Sequence, residues 1–167
     1  TLIVLGTLSF WVVSDIATKR RFSLYSLVSK IVLLMTGILI TVAAAFVFVS
    51  EGSNPQTLGQ LPIGNKIAVS VFEGISGRTA GFSTFDYAYA RPATDVFISF
   101  MMFIGGATAS VAGGIKVTTF FIVVLSIYSI VKEKSHVTAF GREIDRPTIT
   151  RSYAVLIVCL AFSFFCT

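Results

Sequence analysis

The sequence predicts an all-α integral membrane chain built on a pore-loop repeat, in which a spanning helix, a short pore helix, a polar filter-like strand and a second helix follow one another. Three observations predict it. Of 167 residues 54% are hydrophobic and 13% charged, with sixteen Phe and a mean hydropathy of +0.86, which is far too apolar for an ordinary soluble domain. A glycine-centred polar stretch, TAGFS at residues 79–83, separates two apolar regions. The second of these is too long for one crossing and is interrupted by GGATASVAGGIK.

Residues 1–14 read as the tail of an apolar helix, closed at 15–21 by the basic cluster DIATKRR. The run 27–50 has the about twenty residues that a spanning helix needs at a rise of about 1.5 Å per residue. EGSNPQTLGQLP follows, rich in turn formers. Pro62 suits the first turn of a new helix, where its missing N–H is not needed. From residue 62 to 76 that helix would be roughly 21 Å long, short of a hydrocarbon core of about 30 Å. It carries Asn65, Lys66, Ser70 and Glu73, which lipid does not accept cheaply, so it must be re-entrant or external.

Residues 92–132 as one helix would reach roughly 60 Å, about twice what a bilayer requires. The break falls at Gly105, Gly106, Gly113 and Gly114, with Ala, Thr and Ser between. Backbone groups left unpaired there survive at membrane depth only inside protein or along a water-filled path. A small-residue packing stripe would repeat every three or four positions, whereas here ten consecutive positions carry no large side chain other than Val111. A polar loop then leads to Pro147, which precedes a last helix whose apolar run 154–166 is too short to cross. With Thr1 in place of a Met or a charged leader, the sequence reads as a fragment of a longer chain.

The net charge of +5 is explained by orientation. Lys19, Arg20, Arg21 and Lys30 share one side with Lys132, Lys134, Arg142, Arg146 and Arg151, against Lys66, Arg78 and Arg91 on the other. The basic loops are therefore cytoplasmic, and the short helix with TAGFS enters from outside. No nucleic-acid motif accompanies the charge. Cys159 and Cys166, seven apart on an apolar helix, read as buried small hydrophobes. His136 lacks the further ligands of a zinc site, and GGIKVTT fails as a phosphate loop because Ile115 separates Gly114 from Lys116. Asp15, Asp86 and Asp95 are scattered near helix ends, so no catalytic carboxylate pair or Ser, His and Asp set can be assembled, and an enzyme is not expected.

A short helix whose C-terminal end points to the membrane centre offers about half a negative charge to a cation there. Small residues after it let carbonyls face the axis. Thr79, Ala80, Gly81, Phe82 and Ser83 align without a gap on the potassium-channel filter pattern TVGYG. Gly81 is the central position, because glycine alone moves freely into positive φ.

SGRTAGFSTFD and FIGGATASVAGGIKVTT together resemble the third repeat of the Trk/Ktr/HKT superfamily of potassium and sodium transporters, nearest to the bacterial Ktr membrane subunit. The resemblance covers essentially the whole chain. It implies residues 1–25 as the end of a second-repeat helix with a cytoplasmic loop, 26–132 as the complete third repeat, and 133–167 as a cytoplasmic loop and the start of a fourth. It also implies that Thr79, Ala80, Gly81, Phe82 and Ser83 form one quarter of a selectivity filter, with glycine at 81 favouring potassium and serine there favouring sodium. Gly105, Gly106, Ala107, Thr108, Ala109, Ser110, Gly113 and Gly114 would form an intramembrane gate ending at Lys116. A multi-pass protein of the cell membrane follows, a homodimer in the lipid bilayer docked on a cytosolic nucleotide-binding ring. It carries potassium or sodium as cargo and no covalently bound cofactor.

Two readings stay open. Lys116 acts in the gate or snorkels to the cytoplasmic surface. Glu73 and Arg78 brace the strand by pairing, or each faces outer water. The alternative function is a secondary transporter with a midplane ion and solute site formed by broken helices.

Overall fold

The computed structural model describes residues 2–19, 24–108, 110, 113–133, 137–139 and 142–165. The helices are α1 (Leu2–Thr7), α2 (Phe10–Thr18), α3 (Leu27–Glu51), α4 (Ile63–Thr79), α5 (Pro92–Phe103), α6 (Val117–Val131) and α7 (Arg146–Phe165), with a 3-10 turn at Tyr87–Tyr89. The all-helical expectation holds apart from an antiparallel ribbon of two-residue strands, Thr138–Ala139 and Arg142–Glu143. His136, Ala109 and Cys166 lie outside the described residues.

Helix α3 is the frame. Its start is set by Ser26, whose side chain accepts the Ser29 amide, the usual N-terminal cap. It is the one described helix long and apolar enough to cross a bilayer alone. Ile31, Met35, Leu39 and Ala43, at four-residue spacing, bury one face against Met101 of α5, Ile104 just past its end and Val117 of α6.

Helix α4 runs back along α3. Lys66 Nζ donates to the Gly52 carbonyl at 2.8 Å, which fixes its beginning beside the end of α3. Gly74 then meets the middle of α3, where an added Cβ would lie 2.9 Å from the Ala44 nitrogen. After α4 the chain returns to its starting level: Asn54 Nδ2 donates to the Tyr89 carbonyl and the Arg91 amide to Glu51. The segment thus enters and leaves at one end of α3, as a hairpin.

Three boundaries differ from the sequence reading. The first apolar helix is broken at Leu8 and Ser9, because Ser9 caps α2 by accepting the Trp11 amide. Pro62 is the N-cap of α4 rather than a first-turn residue, and α4 continues through Thr79. Pro147 lies inside the first turn of α7, which begins at Arg146; the missing N–H costs nothing in that turn. The break in residues 92–132 falls where the glycines stand, between α5 and α6. Cys159 is half-buried and free rather than fully buried.

Candidate functional site: the hairpin tip and the glycine loop

The tip is held by its own helix. The Ala80 and Gly81 amides both reach the Ser76 carbonyl, at 2.9 and 3.1 Å. Ala80 is still right-handed, and the chain leaves the helix at Gly81 with φ +69°, the left-handed turn typical of glycine after a helix. No atom stands within 4 Å of where a Gly81 Cβ would be, so the demand for glycine comes from the backbone angle alone. Thr79 and Ala80, expected as part of a strand, are therefore the end of the helix, and irregular chain begins at Gly81. Phe82 and Ser83 are exposed, and the Phe82 carbonyl accepts a hydrogen bond from the buried Ser76 hydroxyl.

Glu73 and Arg78 do not pair with each other, and neither faces open water: Glu73 is 0% and Arg78 3% exposed. Glu73 Oε1 accepts from the Thr84 amide at 2.6 Å and the Thr84 hydroxyl at 2.7 Å, and its Oε2 accepts from the Tyr87 hydroxyl at 2.8 Å. This one carboxylate ties the returning limb of the hairpin to the descending helix. Arg78 reaches the other way, its Nη2 donating to the Gly105 carbonyl at 3.1 Å.

The loop between α5 and α6 is closed at its neck by backbone. Gly105 N donates to Ile115 O at 2.9 Å, Ile115 N to Phe103 O at 2.9 Å, and Val117 N to Gly106 O at 3.0 Å. Ile104 and Ile115 thereby form a parallel bridge, and the backbone groups released by the broken helix satisfy one another. A Cβ on Gly105 would lie 1.6 Å from the Gly113 carbonyl oxygen. Gly105, Gly106 and Ala107 are buried, while Thr108, Gly113 and Gly114 are exposed. Ser110 is half-buried, its hydroxyl donating to Ala107 O at 2.7 Å. Lys116 is the N-cap of α6 and half-buried, just past the neck.

Hairpin tip and loop share a cavity of about 300 Å³, lined by Arg78, Ala80, Gly81, Met102, Gly113 and Gly114. Residues picked out from two distant motifs are thus brought to one space.

Sequence reasoning passed over two groups. Glu51, 0% exposed, accepts from Thr94 Oγ1 (2.6 Å), Thr57 Oγ1 (2.7 Å), Asn54 Nδ2 (2.8 Å) and the Arg91 amide (2.9 Å). The signal was a carboxylate closing a long apolar run, which demands partners if buried. The other is the Thr7 carbonyl, which accepts the Ala107 amide at 3.0 Å. Only the Ser9 cap signal pointed to the helix break that frees it.

A helical hairpin that turns back halfway along a long apolar helix thus faces a glycine-rich break between two other helices. The TrkH family profile, described as a cation transport protein, matches residues 4–167, and the chain belongs to that family. It is 39% identical over 163 residues to Ktr system potassium uptake protein B of Bacillus subtilis, covering 98% of this chain and 37% of that protein. It is 33% identical over 160 residues to the protein of the same name from Vibrio alginolyticus, covering 94% and 35%. With the potassium/sodium uptake protein NtpJ of Enterococcus hirae the identity is 32% over 160 residues, covering 96% and 35%. The chain thus spans little more than a third of the length of these relatives. The crystal structure of the potassium transporter TrkH from Vibrio parahaemolyticus shares the fold, with a TM-score of 0.67 at 16% identity over 91% of this chain and 33% of that one.

Proposed function

We propose that this chain supplies one quarter of a potassium uptake pore. Residues 26–132 are its complete third pore-loop repeat, flanked by 1–25 from the second repeat and 133–167 leading into the fourth. Thr79, Ala80, Gly81, Phe82 and Ser83 form one wall of the selectivity filter. Cations, dehydrated at the filter, move down their electrochemical gradient past carbonyls whose number and field strength set the preference. The segment from Gly105 to Gly114, with Lys116 at its end, is the gate beneath them.

The observation that carries this reading is the cavity shared by Gly81 at the hairpin tip and by Gly113 and Gly114 of the loop. A cation leaving the tip would meet the loop next, and the C-terminal end of α4 directs its partial negative charge to the same region. The Phe82 carbonyl already has the Ser76 hydroxyl as donor, so Ala80 and Gly81 are the carbonyls assigned to the ion. The similarity to Ktr uptake proteins supports potassium as cargo, and NtpJ supports sodium as its competitor. A multi-pass homodimer docked on a cytosolic nucleotide-binding ring completes the assembly.

The test is rubidium uptake, with sodium as competitor, by the full-length protein in cells lacking their own potassium uptake. Gly81→Ser is expected to lower potassium preference. If the wild type carries no alkali cation, or if the substitution changes neither rate nor preference in a well-expressed protein, the filter reading fails and the broken-helix transporter replaces it.

A further inference from the structure

We infer that Arg78 is the positioning residue that seats the loop beneath the hairpin tip by clamping the loop's neck. A charged side chain at 3% exposure is costly unless specific partners hold it. Arg78 has two compensations. It stands in the last turn of α4, where a cation is favoured by the helix dipole, and its Nη2 donates to the Gly105 carbonyl. Its Nε has no partner among the described residues, so Gly105 is the group that fixes where the guanidinium lies.

Gly105 is the point where such a clamp has most leverage. Its amide already closes the neck onto Ile115, and the Gly113 carbonyl occupies the space a Cβ would need. One guanidinium therefore holds both limbs of the neck, through a residue that is itself locked to both. Arg78 lies three positions before Gly81, so the helix that sets the tip also sets the height of the loop. The neck is the fixed end of the proposed gate, closed by its own backbone bonds. As regards gating, this inference rests on the filter and gate reading above; the seating of the loop does not.

The experiment pairs amide exchange with transport, on the full-length protein carrying Arg78→Met, which keeps the bulk of the stem, and Arg78→Lys, which keeps the charge without the planar fork. A charge-assisted bond of this kind corresponds to about a tenfold effect or more. Exchange at the Gly105, Ile115 and Val117 amides is expected to quicken about tenfold in Arg78→Met and by less in Arg78→Lys, with the amides of α3 unchanged. Maximal rubidium uptake shifts while potassium preference over sodium stays as in the wild type. Wild-type exchange at all three amides in either folded variant overturns the clamp. So does altered preference with unaltered exchange, which would make Arg78 a charge felt by the ion. If Gly81→Ser leaves preference unchanged while the Arg78 variants loosen the neck, the filter reading fails and the clamp stands.

Discussion

The Ala107 amide donates to the Thr7 carbonyl across 3.0 Å, fastening the loop between α5 and α6 to the break between α1 and α2. In an unbroken helix that carbonyl would take the amide four residues on, from Trp11. Trp11 instead donates to the Ser9 hydroxyl, so one helix break supplies the acceptor that the other break needs. Ala107 is 1% exposed and packs with Val12 and Val32.

Enlarging that side chain should lift the loop from its anchor. Ala107→Leu is expected to cost about 1–3 kcal/mol through overpacking, lowering the thermal midpoint and raising basal rubidium uptake. Wild-type values of both would show that the Thr7 contact does not hold the loop.

The glycines of tip and neck should respond differently to the same methyl group. At Gly81 space is open but φ is +69°, so Gly81→Ala costs about 1–2 kcal/mol in backbone strain. At Gly105 the methyl would strike the Gly113 carbonyl, and the neck must open. The Gly105→Ala protein should therefore lose more thermal stability than Gly81→Ala, together with protection of the Ile115 amide. Equal losses would mean that the neck is looser than its backbone bonds indicate.

How far these features could be read in the sequence depends on the kind of interaction behind them. The spanning run of α3, the short helix and the glycine break were legible because bilayer thickness and backbone satisfaction constrain them locally. The left-handed turn at Gly81 was legible because glycine alone enters positive φ freely. The extension of α4 through Thr79 was not, since TAGFS is equally compatible with an earlier exit from the helix. The partners of Glu73 and Arg78, and those of Glu51 beyond its own loop, are 11 to 43 positions away in the chain, and no spacing rule reaches that far. For Glu73 and Arg78 the sequence offered pairing or solvent, and the structure gives each its own neutral partners.

Glu51 should be a structural keystone of the end of α3 where the hairpin begins and returns. Its four donors come from the loop after α3, from the residue before α5 and from α5 itself, where Thr94 also bonds the Ser50 hydroxyl at 2.8 Å. Glu51→Ala leaves the buried Thr94 hydroxyl and the three less buried donors without their acceptor, at a cost of about 1–3 kcal/mol. Glu51→Gln, which keeps one carbonyl oxygen, should fall between it and the wild type in thermal unfolding. Indistinguishable midpoints for all three proteins would remove Glu51 from this role.

Tyr87 gives the hairpin a pH signature. Burial first, then the hydrogen bond and charge of Glu73 and the charge of Asp95, hold its phenol above the ordinary tyrosine value. Because the folded value is raised, the stability it contributes is intact below the unfolded pKa of about 10. That contribution is lost as the pH climbs from there toward the folded value. In a difference titration of phenolate absorbance between wild type and Tyr87→Phe, the folded proteins should show no ionisation of this group near pH 10, while the denatured pair shows it at about 10. At neutral pH, Tyr87→Phe deprives Glu73 Oε2 of its donor and should destabilise by about 1–3 kcal/mol. An ordinary midpoint in the folded protein would mean that Glu73 does not hold the returning limb through Tyr87, leaving Thr84 as its tether.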